Sequence, residues 1–195
     1  MSLEKDITGV KHIFEDDFKG ADDKEIADRR KHYDANQRKE MFKNAEEVLP
    51  GSIAKLKEHF KDDVLVETAV AYADTDVVAD LLYCEHLTGQ IRDANAKNMA
   101  FNMRALGWVG VWTDAATFIK QAEIIQDYNY FDVDVAKQLA KDFSSKQFRL
   151  CRESSPGLYI RPMDITMDEL EALKKYDAKQ DEISLTNNEM HLWWD

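Results

Sequence analysis

Asp127-Tyr128-Asn129-Tyr130-Phe131-Asp132-Val133-Asp134 is the densest run of chemically able side chains in this sequence. Oxygen ligands at alternating positions can wrap calcium. An EF-hand loop also needs an internal glycine and a distal glutamate, and this run has neither. What remains is a set of aromatic rings flanked by carboxylates, placed where one helix gives way to the next. Rings of this kind either plug a core or anchor an interface as binding hot spots. Tyr128, Tyr130 and Phe131 are the candidate contacts here, and Trp193 and Trp194 near the C-terminal end join them.

Other constellations are weaker. Asp28 and His32 stand four apart, which puts them on one helix face, but no second pair accompanies them. His12, His59, His86 and His191 are scattered, and the paired Glu-x-x-His runs of a di-iron bundle do not occur. The expectation is no metal site and no cofactor. All-α nucleotide pyrophosphatases hold magnesium with an EExxE run and a later ExxD run. Glu46-Glu47 is followed by Val-Leu-Pro and Glu85 by His-Leu-Thr, so both patterns break. A magnesium-dependent all-α hydrolase would have to use Glu67, Asp76, Asp80 or Glu85, with no defined third ligand. The GxxxxGK, GxGxxG, GxSxG and HExxH patterns do not occur, and no catalytic residue is assigned.

Composition narrows the class further. The chain has 195 residues, 44% of them hydrophobic, with a net charge of −12. That apolar content supports a packed core, and 7 Gly with 3 Pro are too few for a many-stranded sandwich. The charge concentrates in the middle: residues 63–145 hold 13 acids against 6 bases. Such a field opposes binding to nucleic acid or anionic lipid. Arg29-Arg30-Lys31, the one basic run, reads as a solvated helix face. Cys84 and Cys151 lie too far apart for a metal or redox pair, Cys84 reads as buried, and a reducing compartment follows. No leader and no membrane-spanning run are expected, since Asp74, Asp76 and Asp80 interrupt the longest apolar stretch. The expected location is the cytoplasm, or a virion.

The elements that must carry these residues follow from periodicity. Apolar residues at helical spacing predict a first helix before Gly20 and a second, highly charged one from Asp22 to about Val48. Pro50-Gly51 breaks it, and Ser52 caps a short helix striped by Ile53, Leu56 and Phe60. Residues 63–88 predict a helix apolar nearly all round, with Asp74-Thr75-Asp76 kinking or restarting it. Residues 90–106 follow, with an asparagine row at 95, 98 and 102. Gly107 to Trp112 reads as a turn with two indoles. Thr113 then caps residues 114–126, and Asp132 caps Val133–Phe143. Beyond 146 the period becomes two. Phe148-x-Leu150-x-Arg152, a Ser154–Gly157 turn and Leu158–Arg161 predict a hairpin. Thr166 with Glu169 forms a capping box, and Ile183–Thr186, Asn187-Asn188 and Glu189–Trp193 predict a second hairpin.

The expected fold class is mainly α: a helical bundle body over 1–145, and a small C-terminal α+β module over 146–195 built of two hairpins and one helix. Helices, a Gly-Trp turn, then hairpins: in outline this resembles the ring-forming adaptors between a phage portal and its tail. The resemblance is one of architecture and implies an assembly role. The expected function is a non-catalytic interaction or assembly component with protein partners, oligomeric or part of a larger complex. The alternatives are an acidic regulator that occupies a basic site on another protein, and the hydrolase above.

Overall fold

Pro50-Gly51 stops the first described helix, α1 (residues 38–48), as its lack of a helical N–H requires. Gly51 takes the left-handed conformation at φ 84, and the carboxylate of Glu46 accepts the amides of Gly51 and Ile53, each at 2.8 Å. Glu46 therefore starts α2 (Ser52–Phe60), and Ser52, expected as the cap, is buried in its first turn. The computed structural model describes residues 36, 38–83, 107–128, 130–153, 155–161, 166–173, 176, 182–185 and 190–194. Expectations placed on the Asp28–His32 pair, Arg29-Arg30-Lys31, Cys84, Glu85 and the asparagine row lie outside these residues.

The expected helix over 63–88 restarts once within the described residues. Its first part is α3 (Asp63–Ala71), capped by Asp62, whose carboxylate accepts from Val64 and Leu65 at 2.8 and 3.3 Å. Tyr72 to Thr75 form the break, closed by a bond from the Thr75 hydroxyl to the Tyr72 carbonyl at 3.0 Å. The second part is α4 (Asp76–Tyr83). Every residue from Leu65 to Ala71 is buried, as an all-round apolar helix must be.

Helix α5 (Ala115–Ile125) starts at Asp114, one residue after the expected Thr113 cap: Asp114 accepts the Thr117 amide at 2.7 Å. Helix α6 (Val133–Asp142) is capped by Asp132 through the Val135 amide at 3.0 Å. Helix α7 (Met167–Leu173) opens with the capping box: the Glu169 amide donates to the Thr166 hydroxyl at 3.2 Å, and the Thr166 amide to the Glu169 carboxylate at 2.8 Å.

The strands form a single antiparallel sheet. They are β1 (Trp108–Val109), β2 (Thr113–Asp114), β3 (Gln147–Glu153), β4 (Ser155–Arg161), β5 (Glu182–Leu185) and β6 (Met190–Trp193). Their order is β1-β3-β4-β6-β5, with β2 also on β3. Trp108 pairs with Arg152 and Val109 with Cys151, whereas Thr113 pairs with Phe148 and Asp114 with Gln147. Residues 110–112 thus oppose only 149–150, so β1 and β2 are one edge strand carrying a one-residue bulge. Gly110 sits in it because a Cβ there would meet the Trp108 ring at 2.8 Å and the Leu150 carbonyl oxygen at 3.1 Å.

The expected fold class, a mainly α body with an appended module, is corrected by this sheet. The fold is α+β, with helices laid on one face of an antiparallel sheet. Part of the sheet comes from Gly107–Trp112 and its neighbours, expected to be a turn within the helical body. The bulge explains why that strand escapes a search for alternation. Trp108 and Thr113 both turn toward the helices although they stand five apart. Phe148, Leu150, Leu158, Ile160, Met190 and Leu192 cover the same face, and Phe148 stacks on Phe118 of α5 at 4.8 Å. One core cluster runs from Met41 to Trp194. Among the described residues, no helix is long and apolar enough to cross a membrane.

Candidate interaction site

The turn between α5 and α6 is built by its carboxylates. α5 ends at Gln126, which takes a positive φ of 55 without being glycine and so marks a sharp exit. Asp127 then accepts the Val133 amide at 3.1 Å, and Asp132 accepts that of Val135. Both acids satisfy the free amides of the α6 start, a role that leaves their Oδ1 atoms occupied. Tyr128 and Phe131 close the turn with two mutual backbone bonds: the Tyr128 amide donates at 3.2 Å and the Phe131 amide at 2.9 Å.

The three rings of this turn go to different places. Phe131 is buried and meets the Trp194 ring edge to face, centroids 5.2 Å apart. Tyr128 is half-buried, and its hydroxyl accepts from Arg152 Nη2 at 3.0 Å. Tyr130 points outward with 75% of its surface exposed. Trp193 and Trp194 are parted by strand alternation. Trp194 is 1% exposed in the core, while Trp193 is half-buried on the opposite sheet face, paired in register with Gly157. The structure therefore joins Tyr128, Phe131 and Trp194 into one packed support, holds Tyr130 above it and leaves Trp193 apart.

Beneath the turn lies a cluster that sequence reasoning missed. Arg152 of β3 is 2% exposed, and its two terminal nitrogens donate to the two carboxylate oxygens of Asp74 at 2.9 and 3.0 Å. Nη1 also donates to the Ala71 carbonyl. The guanidinium lies 5.0 Å from the Tyr72 ring centre and 5.3 Å from that of Tyr128. Burial works to lower the Arg152 pKa, but the bonds and charge of Asp74 outweigh it and the net direction is up. Burial likewise pushes the Tyr128 and Tyr72 phenols up, with Arg152 opposing. Arg152 therefore stays charged and the two phenols stay neutral near neutrality. The signal was present: Arg152 continues the Phe148-Leu150 line, and Asp74 interrupts an apolar run. A lone base and a lone acid in core-facing positions must find each other.

The acids considered for magnesium are placed otherwise. Glu67 is buried; its Oε1 accepts from Trp108 Nε1 at 2.8 Å and its Oε2 pairs with Arg38. Asp76 and Asp80 are exposed on α4. Among the described residues, no three of His, Cys, Asp and Glu are grouped to hold a metal ion. No protein-family model matches this chain, and the comparisons with curated proteins and with solved structures return no match either.

Proposed function

We propose that this protein is a non-catalytic interaction or assembly component that contacts its partner through Tyr130. One observation carries the reading. Tyr130 is exposed at the tip of a turn closed by two backbone bonds and seated on Phe131 and Tyr128. A ring held out on a pre-formed support loses little freedom on binding, which is what makes an aromatic a strong anchor. An apolar socket on a protein partner is the chemistry it fits. Such a role belongs in the cytoplasm or in a virion.

Among the described residues Met167 is the other large exposed hydrophobic side chain, at 71%, and it serves as the control. A benzophenone side chain installed at position 130 in the producing cell is expected to give one discrete covalent adduct on illumination. The same group at position 167 is expected to give none. No adduct at 130, or the same adducts at both positions, overturns the proposal. If the adduct is a second copy of the chain, light scattering will show a discrete oligomer. Tyr130→Ala should then weaken it by about 2 kcal/mol or more, the size of a hot-spot truncation.

The acidic-regulator reading keeps one supporting observation: Asp127 and Asp134, three and four residues from Tyr130 in sequence, are exposed as it is. Binding that collapses between low and high salt would favour it, whereas an apolar socket resists salt.

A further inference from the structure

We propose that Arg152 is the positioning residue of the Tyr130 tip, holding it by gripping Tyr128 from below. This rests on the reading of Tyr130 as the contact. The turn has two feet. Phe131 is an apolar foot, packed on Trp194. Tyr128 is the polar foot, and its bond to Arg152 Nη2 and its ring contact with the guanidinium join the turn to the sheet. Arg152 in turn is fixed from the far side by both oxygens of Asp74 and by the Ala71 carbonyl, at the break between α3 and α4. Three parts of the fold that are far apart in sequence meet on this side chain.

Arginine is the residue suited to the task. Its planar fork can fill a carboxylate and a carbonyl while one further N–H reaches a phenol, and its flat faces lie against rings. Lysine offers a single ammonium and no plane, so Arg152→Lys is not a conservative change here. The Tyr72 ring, 5.0 Å from the guanidinium and bonded through its hydroxyl to the Cys151 carbonyl at 2.6 Å, keeps the plane from rotating away.

The test is amide hydrogen exchange on the full chain, which needs no partner. The wild-type chain should protect the Tyr128 and Phe131 amides, the two that close the turn. Tyr128→Phe deletes only the hydroxyl, and Arg152→Lys deletes the fork. Each is expected to speed exchange at both amides roughly tenfold or more, the loss expected for one hydrogen bond to a charged group. The amides of α5 should keep their wild-type rates. Unchanged exchange at the turn overturns the proposal. Faster exchange spread over the whole chain in Tyr128→Phe also overturns it, since Arg152 would then be a general fold contact. If Arg152→Lys does not fold, Tyr128→Phe decides alone. Failure of the crosslink at 130 with local loss of protection would sink the interface and leave the positioning role standing. The reverse pattern would do the opposite.

Discussion

Asp114 closes the bulged edge strand and starts α5 by accepting the Thr117 amide. That amide bond pulls its carboxyl below the ordinary range. A group whose folded pKa lies below its unfolded one contributes stability that is complete above the unfolded value, about 4 for aspartate. The contribution is lost as pH falls through the folded value. Asp114→Ala should therefore cost about 1 kcal/mol at neutral pH, the usual worth of such a cap. Its gap from wild type in urea titrations should close below about pH 4. Trp194→Ala acts on packing instead and should cost about 3–5 kcal/mol, a large share of a typical fold's stability. Thermal melts will read it. Caps such as Asp132 and the Thr166–Glu169 box were legible in the sequence because donor and acceptor sit within three residues. The Arg152–Asp74 pair spans 78 residues, and nothing local couples the two. Tyr130 is one of five candidate contacts in the sequence, but which of the five stays outside is decided by the turn and the sheet, not by residue type.

Among the elements, the second hairpin keeps the register expected from its sequence: Leu185 pairs with Met190 and Ile183 with Leu192. The first hairpin is tighter than its Ser-Ser-Pro-Gly run suggested: Ser155, Pro156 and Gly157 already belong to β4. The edge strand was illegible because its bulge resets the side-chain phase. Gly110→Ala is the direct test. Its methyl would press on the Trp108 ring and the Leu150 carbonyl, both held in the sheet and core. A loss of about 1–3 kcal/mol is expected, as for other overpacked sites. It should appear as a lower urea midpoint with an unchanged slope.

For the whole molecule, the sheet joins residues 108–114 to 147–193, and the helices from Met41 onward share its core. A chain of residues 146–195 alone would lose its edge strand and expose Phe148, Leu150, Leu158, Ile160 and Leu192. It is expected to show neither dispersed amide signals nor a cooperative melt, since so short a chain buries too little surface once the helices are gone from its apolar face. The full chain should melt in one transition.

Cys151 gives that cooperativity a clock. Its sulfur is fully buried in β3, beside the gap left by Gly157 and 3.7 Å from His191 Nε2. A thiol reagent can reach it only when the strands part. Labelling at this one position, resolved by peptide mass, counts openings in time rather than in free energy. A partner that clamps the molecule would slow that count without ever touching the sulfur.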